Sequence, residues 1–245
     1  MSGTTHSQFD DLSSLYEDMA SWPFRKEIET PSVLETLGDV RGKDVLDFGC
    51  GDGTYSRILK RLGARRVVGF DVAEGMLAHG QQRESENPLG IEYTNALSES
   101  LNGQFDLVLS VYVMPYARTK SELDRMCANM ARVLKQGGRL VTLPIHPDYE
   151  PDPQYYAQYG FSLTQQPAHQ ENVDVRLDLF YDNFNATVTA CYWSFASLYD
   201  ALATAGFTHI QHKNPVPAQH ADIDKAPAFL APYLKRPHAV IVEAS

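Results

Sequence analysis

The chain is organised around one glycine-rich stretch, Val45-Leu46-Asp47-Phe48-Gly49-Cys50-Gly51-Asp52-Gly53-Thr54-Tyr55. An apolar run, a glycine-rich turn and an amphipathic segment follow one another in it, which predicts a buried strand, a tight loop and a helix. The glycines let the backbone take positive φ and approach a ligand closely. Free N–H groups at the start of the helix suit a polar or anionic group. The stretch therefore predicts a ligand-binding loop.

A carboxylate follows the next predicted strand. The run Val67-Val68-Gly69-Phe70 is apolar and leads into Asp71, which lies 18 residues past Gly53. A carboxylate at the end of the second strand is placed to bind the two hydroxyls of a ribose. The loop reads G-x-G-x-G, and Thr54 stands where a dinucleotide fingerprint has its third glycine. We therefore expect a nucleoside-containing cofactor that is not a dinucleotide.

The G-x-G-x-G loop, with Asp47 in the strand before it, resembles the first motif of class I methyltransferases that use S-adenosyl-L-methionine (SAM). In that family the loop holds the amino-acid end of the cofactor. The stretch Arg132-Val133-Leu134-Lys135-Gln136-Gly137-Gly138-Arg139-Leu140 resembles a further landmark of the family. The resemblance implies SAM as cofactor and an α/β fold. That fold is a doubly wound, Rossmann-like sheet of seven strands with an N-terminal helical arm and a hairpin and loop cap.

The same resemblance implies roles for individual residues. Tyr16 and Arg25 reach the methionine end of SAM from the arm, where Arg25 suits a carboxylate by bidentate pairing. Met76 lies against the adenine, and the turn at Asn95 edges the adenine amino group. The alternatives are a core role for Tyr16, a solvated charge for Arg25 and a plain turn residue for Asn95. The expected cofactor-binding residues are Tyr16, Arg25, Asp47, Gly49, Gly51, Asp71, Val72, Met76, Asn95, Ala96 and Ser110.

Length and composition favour a single domain over residues 1–245. It is expected to comprise a helical arm (1–40), a SAM-binding core (41–143), a substrate cap (144–195) and a C-terminal helix with the last strands (196–245). Strands are predicted at 44–49, 66–71, 91–95, 105–110, 139–143, 207–212 and 238–243, with a cap hairpin at 176–180 and 186–193 after a loop-rich lid at 145–172. Helices are predicted at 9–19, 30–38, 54–62, 74–83 and 194–205.

One further helix precedes the fifth predicted strand. Its apolar stripe comprises Leu123, Met126, Cys127, Met130, Ala131 and Leu134. Gly137-Gly138 is predicted to stop this helix. The stripe is interpreted as core and not as a cofactor site.

Charge and composition limit the partners. The formal net charge is 21 − 31 = −10, so no basic surface indicates nucleic acid or an anionic membrane as partner. The longest apolar-rich run, 107–117, is too short to span a bilayer, and residues 1–11 do not resemble a secretory signal. Three scattered cysteines suit reduced thiols in the cytoplasm. The eight histidines show no metal-binding spacing, so no metal is expected, and the oligomeric state is unknown.

Aromatic side chains are concentrated after residue 145, which suits a pocket for a flat heterocycle as well as a plain core. The chain from the arm Y-E-D-M-A-S-W-P-F-R (16–25) to the hairpin is similar to the toxoflavin synthases, bacterial small-molecule methyltransferases. The resemblance implies a small heteroaromatic substrate, a bicyclic azapteridine, methylated on nitrogen. Tyr112, Tyr181 and Trp193 are the candidate substrate-binding residues, each with a core role as the alternative.

Methyl transfer needs a general base only if the acceptor atom carries a proton. His146, just past the fifth predicted strand, is the candidate base, and Tyr112, after the fourth, is the candidate that orients the acceptor. An incidental loop histidine is the alternative for His146. Two other functions stay open: an O- or C-methyltransferase of another aromatic natural product, and a SAM-binding protein without catalysis.

Overall fold

The computed structural model describes residues 21–181 and 184–245, without the side chains of Tyr181 and Phe184. The helices are α1 (Thr30–Leu37), α2 (Thr54–Arg61), α3 (Glu74–Glu86), α4 (Lys120–Val133), α5 (Phe195–Thr204) and α6 (Ala231–Lys235). The strands are β1 (Asp44–Phe48), β2 (Arg66–Phe70), β3 (Ile91–Thr94), β4 (Phe105–Val111), β5 (Leu134–Leu143), β6 (Phe161–Thr164), β7 (Asp174–Tyr181), β8 (Phe184–Cys191), β9 (Ile210–Lys213) and β10 (Ile241–Ala244).

A seven-stranded sheet forms the centre of the fold, in the order β3-β2-β1-β4-β5-β10-β9. β1 pairs in parallel with both β2 and β4, so that Val45 lies beside Val67 on one side and Leu107 on the other. β10 runs antiparallel to β5 and β9. The strand order reverses between β1 and β4, and ligands of such sheets bind outside the carboxyl ends at that reversal. The doubly wound α/β fold expected from the sequence is confirmed.

Layers of apolar side chains explain why the sheet is stable. All five residues of β1 are buried, as expected for a central parallel strand covered on both faces. One core packs α4 and α5 against the sheet through residues such as Leu123, Met130 and Leu198. A second packs α1 against the opposite face through Val33 and Leu37. The glycine loop is therefore held by a rigid scaffold.

The cap is a separate antiparallel sheet in the order β6-β7-β8. Its inner face joins Trp22, Phe24 and Tyr233 in an aromatic core. The hairpin expected in this region is confirmed as β7 and β8, in which Asp174 pairs with Cys191. β6 lies within the segment predicted as a loop, so that part of the prediction is wrong. The strand is only four residues long, which leaves little periodicity to detect.

The end of α4 differs from the prediction. The helix ends at Val133, and Gly137-Gly138 lies inside β5. Leu134 pairs with Phe105 of β4, and the register then shifts before Leu107 pairs with Arg139. The glycines therefore occupy an irregular part of the strand, where Gly137 has a φ of 75° and a Cβ atom at Gly138 would lie 3.0 Å from the carbonyl oxygen of Lys135.

Two other helix predictions have different outcomes. α1 ends before Gly38, whose φ of 60° suits glycine, and it continues directly from a π-helical turn at Arg25–Glu29. The helix predicted at 9–19, and Tyr16 with it, lies outside the described residues. Within residues 21–181 and 184–245, no helix has the length and apolar character needed to cross a membrane.

Candidate cofactor and acceptor site

A cavity of about 520 Å³ lies at the carboxyl edge of the sheet, at the reversal between β1 and β4. Its walls come from the glycine loop, the ends of β1, β2 and β4, the π-helical turn and α4. The lining residues from the expected cofactor set are Arg25, Asp47, Gly49, Gly51, Asp71, Val72 and Met76. The fold therefore brings together residues that lie up to about 50 positions apart in sequence.

The three loop glycines all have positive φ, but the absence of a side chain has a different consequence at each position. A Cβ atom added to Gly49 would lie 2.2 Å from Cγ2 of Val113, and one added to Gly53 would lie 2.1 Å from the hydroxyl oxygen of Tyr93. A Cβ atom at Gly51 would meet no protein atom within 4 Å, although Gly51 lines the cavity. Gly49 and Gly53 thus permit packing, whereas Gly51 leaves the space that a ligand needs.

Asp71 connects the glycine loop to the end of β2. One carboxylate oxygen accepts a hydrogen bond of 2.7 Å from the N–H of Gly51, and the other accepts one of 2.9 Å from the N–H of Ala73. Each carboxylate oxygen can accept more than one hydrogen bond, and Asp71 lines the cavity. Asp71 can therefore fix the loop and bind ribose hydroxyls together.

Asp47 is the second carboxyl group in the cavity wall. It is 2% exposed and accepts a hydrogen bond of 2.6 Å from the hydroxyl of Ser56. Burial raises the pKa of Asp47 to about 7, and the negative charge of Asp71 adds to the shift against the opposing Ser56 hydrogen bond. A cationic ligand group beside Asp47 would favour its charged form. The amino group of the SAM methionine end is such a cation, so the residues present fit SAM.

The raised pKa of Asp47 predicts how stability depends on pH. The folded state keeps this proton to about pH 7, whereas an unfolded aspartate loses it near 3.8. The folded state thus binds more protons between these values, so this group lowers the free energy of unfolding as pH rises toward 7. Asp47→Asn removes the titrating carboxyl group, so the free energy of unfolding of the variant does not fall for this reason as pH rises. We measure the free energy of unfolding in urea without SAM. The difference between the variant and the wild type should grow in the variant's favour by about 2–3 kcal/mol between pH 5 and pH 8.

The control for this prediction is Asp39→Asn. Asp39 is exposed, and its hydrogen bonds from Arg41 lower its pKa, so its titration falls below this pH range. The Asp39 variant should keep the pH dependence of the wild type. An Asp47 variant whose unfolding curves follow those of the wild type at both pH values would show that Asp47 is already ionised.

Other expected cofactor residues differ in where they lie. Met76 is buried in the cavity wall, while Val72 is 73% exposed at its rim. Asn95 and Ala96 are exposed just after β3 and are not among the lining residues, and Ser110 is fully buried within β4. The cofactor-binding roles of Asn95, Ala96 and Ser110 stay predictions, and the geometry of the cavity does not support them.

His146 lies away from both the glycine loop and its cavity. Its Nδ1 accepts a hydrogen bond of 2.9 Å from the N–H of Asp148, and its Nε2 lies 3.1 Å from the side-chain oxygen of Asn214. With both ring nitrogens engaged and no contact with the cavity, His146 is not placed to accept a proton there. The sequence position just after β5 correctly predicts that His146 lies at the sheet edge. It does not predict the direction of the side chain.

The sequence predicts two cap aromatics at the substrate, Trp193 and Tyr181, and the structure contradicts the prediction for Trp193. Trp193 is 5% exposed in the core against α4 and α5, and its indole N–H donates to the carbonyl of Ala117 at 3.2 Å. Trp193 is therefore a core residue. The side chain of Tyr181 lies outside the described residues.

Tyr112, at the end of β4, does line the cavity. Its φ is 57°, a left-handed conformation that side chains other than glycine rarely adopt. The guanidinium carbon of Arg25 lies 5.0 Å from the centre of the Tyr112 ring. The hydroxyl of Tyr112 donates a hydrogen bond of 2.6 Å to Glu29. This backbone geometry turns the ring toward the arm.

A buried polar cluster behind Tyr112 was not predicted from the sequence. Glu29 accepts hydrogen bonds on one oxygen from the hydroxyls of both Tyr112 and Tyr233. The hydroxyl of Tyr233 also lies 2.9 Å from Nδ1 of His238. Glu29 and His238 are 1% and 5% exposed. Because these residues come from distant parts of the chain, no local spacing connects them in the sequence.

A second, smaller cavity of about 30 Å³ lies beneath the cap sheet. It shares Arg25, Tyr112 and Tyr116 with the larger cavity, so the two adjoin. His238 contributes to its wall, and the remainder is largely apolar: Phe24, Pro115, Ile145, Phe161, Leu163, Leu177, Leu179 and Ala190. The arrangement places a small, largely apolar space next to the larger cavity.

Helix α4 contributes to the larger cavity as well as to the core. Met126, which the stripe assigned to the core, is partly buried and lines the cavity together with Glu122, Arg125 and Asn129. One face of α4 therefore packs on the sheet while its edge forms a polar wall. Met126 therefore packs against the core, as the stripe predicts, and also lines the cavity.

Residues 45–138 match the family described as methyltransferase domain. The matched region contains the glycine loop, Asp71 and Tyr112. The match covers less than half of the chain, so it shows that this region is similar to methyltransferase domains.

Curated relatives are similar over part of the chain. The ubiquinone biosynthesis O-methyltransferase of Pseudomonas fluorescens (strain SBW25) is 34% identical over 106 residues, which cover 42% of this chain and 44% of that protein. That of Acinetobacter baumannii (strain AYE) is 29% identical over 140 residues, covering 55% of this chain and 53% of that protein. The chain thus spans about half the length of the curated relatives it matches.

Solved structures are similar over most of the chain. A SAM-dependent methyltransferase from Mesorhizobium loti has a TM-score of 0.58 and 24% identity, covering 88% of this chain and 96% of that one. These values show a shared fold.

Proposed function

We propose that this protein transfers a methyl group from SAM to a ring nitrogen of a small, nitrogen-rich heterocycle. The leading candidate reaction is the successive N-methylation of a didemethylated toxoflavin-type azapteridine. The observation that carries the proposal is the junction of the two cavities at Arg25, Tyr112 and Tyr116. There the cofactor cavity meets an apolar space under the aromatic cap.

SAM supplies a methyl group activated by its positive sulfur when it is bound. Asp71 would hold the ribose hydroxyls, and Asp47 would face the amino group. Arg25 would pair with the carboxylate, and Met76 would pack on the adenine. Positioning of this kind lowers the barrier by bringing the reacting atoms together in the correct orientation.

The cap supports a flat acceptor. Its inner face and the arm form a core in which aromatic rings contact one another closely, for example Tyr156 and Phe161 with ring centres 5.1 Å apart and nearly parallel. The smaller cavity has room for about one water molecule, so a flat acceptor would lie in the larger cavity and stack on the rings of Tyr112 and Tyr116 at the junction. Such a site has few directional bonds, so a singly methylated product can rebind turned over. Two successive methylations in one site follow from this.

A second candidate is O-methylation of another aromatic compound. The curated relatives named ubiquinone biosynthesis O-methyltransferase favour it, although the alignment covers less than half of the Pseudomonas fluorescens protein. C-methylation and SAM binding without catalysis are further alternatives. The acidic net charge of −10 supports a small-molecule acceptor over a nucleic acid.

The location proposed is the cytoplasm. Cys50, Cys127 and Cys191 are free and buried within the described residues. Free thiols of this kind suit a reducing compartment.

The proposed reaction predicts which acceptors are turned over. Purified protein and SAM are incubated separately with a didemethylated azapteridine, a polyhydroxylated phenol and no acceptor. We expect S-adenosylhomocysteine only with the azapteridine, and product masses that show first one and then two added methyl groups. Turnover of the phenol alone would establish the O-methyltransferase instead, and no turnover with any acceptor would favour the binding protein.

A further inference from the structure

His238 has a ring nitrogen available to the smaller cavity. Its ring lines that cavity and lies nearly parallel to the ring of Tyr112, at 13° and 5.5 Å between centres. Nδ1 is engaged by the hydroxyl of Tyr233 at 2.9 Å. Among the residues that the structure describes, Nε2 has no hydrogen-bond partner. Nε2 is thus the nitrogen that an occupant of the cavity can reach.

The hydrogen bonds assign the tautomer of His238. The hydroxyl of Tyr233 has one proton, which it donates to the Glu29 carboxylate, and its oxygen also lies against Nδ1 of His238. The proton therefore points to the Glu29 carboxylate, and the oxygen of Tyr233 accepts the Nδ1–H of His238. This leaves a lone pair on Nε2. A relay of two hydrogen bonds, from His238 through Tyr233 to Glu29, holds the ring in that state.

The charged and titratable groups around His238 keep it neutral. Burial lowers the pKa of His238 well below 6.5, and the positive charge of Arg25 and the neighbouring His146 act in the same direction. Glu29 lies 3.6 Å from Nδ1. The rings of Tyr112, Tyr156 and Tyr233 also pack against it. A neutral imidazole at pH 7 has the lone pair that a base requires.

We propose that His238 is the general base that removes a proton from the acceptor nitrogen through the smaller cavity, with Tyr233 and Glu29 as its positioning residues. The proposal rests on the proposed N-methyl transfer. The acceptor nitrogen forms a bond to the methyl carbon with its lone pair. The bond between methyl and sulfur breaks and its electron pair stays on sulfur. The proton of the acceptor N–H passes to Nε2, so the positive charge lost by sulfur ends on the imidazole.

The size of the cavity fits this path. A volume of about 30 Å³ is enough for one water molecule, for which roughly 10–15 Å³ suffices. A general base can act directly or through one water. An N–H group becomes more acidic as its nitrogen bonds to the methyl carbon, so even a weakly basic imidazole can take the proton. The cluster therefore suits an acceptor that arrives protonated.

Kinetics of His238→Gln test the inference. We expect kcat to fall about 100-fold at pH 7, with little change in the dissociation constant for SAM. The lost rate should return as pH rises above the pKa of the acceptor N–H, because the acceptor then arrives without its proton. His212→Gln, at an exposed histidine on β9, should keep the wild-type rate. An unchanged rate for His238→Gln, or a loss that high pH does not relieve, would overturn the inference.

A second measurement does not depend on catalysis. In ¹⁵N-histidine-labelled protein without ligands, we expect His238 to show the neutral Nδ1–H tautomer at pH 7 and to stay neutral at pH 6.5. Tyr233→Phe should abolish this single tautomer. A protonated Nε2 in the wild type would overturn the inference even if methyl transfer occurs. Absence of any methyl transfer by wild type, with the tautomer as expected, would instead refute the proposed function.

Discussion

Gly51→Val is expected to abolish measurable SAM binding while the protein stays folded. The site of a Cβ atom at Gly51 contacts no protein atom, so the new side chain would extend into the cavity that the loop lines. The φ of 53° at this position also disfavours a β-branched residue, at a cost of about 1–3 kcal/mol. Calorimetric titration with SAM measures the loss, and circular dichroism checks the fold.

Gly42→Val is the matched control. Gly42 has a φ of 72° and no atom within 4 Å of an added Cβ, but it lies in an exposed turn before β1. The control thus carries similar backbone strain without touching the cavity. We expect it to bind SAM as the wild type does. Wild-type SAM affinity in a folded Gly51 variant would mean that the loop does not hold the cofactor.

Asp71→Ala is expected to weaken SAM binding tenfold or more. Hydrogen bonds from ribose hydroxyls to a carboxylate contribute about 1.5–3 kcal/mol each, and about 1.4 kcal/mol corresponds to a factor of ten. The structure adds a second cause, because the substitution also removes the acceptor for the N–H groups of Gly51 and Ala73. The N–H groups of Gly49 and Cys50 would still donate to the carbonyl of Phe70 in β2, so the loop would be loosened at Gly51 but not detached.

Two comparison variants separate these causes. Asp71→Asn keeps one acceptor oxygen, so its affinity should lie between those of wild type and the alanine variant. Asp39→Ala removes one negative charge at an exposed site away from the cavity, so it should bind SAM as the wild type does. A similar loss of affinity in the Asp39 variant would indicate a long-range charge effect, and no loss in Asp71→Ala would remove Asp71 from the site.

Local patterns in the sequence predicted much of the fold. The alternation of apolar strands with amphipathic helices places β1, α2 and β2 within one or two residues of their observed bounds. Ser194 caps α5 as expected, because its side chain accepts the N–H of Ser197. Gly137-Gly138 was misinterpreted because pairing of Leu134 with β4 overrides the local tendency of glycines to end a helix. Tertiary pairing of this kind leaves no trace in the local sequence.

The cofactor cavity was more predictable than the acceptor side. The glycine loop and Asp71 belong to consecutive elements, so their spacing alone indicates that they meet at one sheet edge. Glu29 and His238 meet only because the arm packs against the C-terminal segment beneath the cap. His146 was chosen for its position after β5, but side-chain direction decides which histidine reaches the cavity. That direction depends on packing that no spacing rule contains.

The central claim is methyl transfer to a ring nitrogen, and the bond formed is its most direct test. The protein is incubated with SAM carrying a ¹³C-labelled methyl group and an azapteridine acceptor with ¹⁵N in its rings, and the product is examined by NMR. We expect a one-bond coupling between the methyl ¹³C and a ring ¹⁵N. A methyl signal bound to oxygen or carbon, without that coupling, would contradict it.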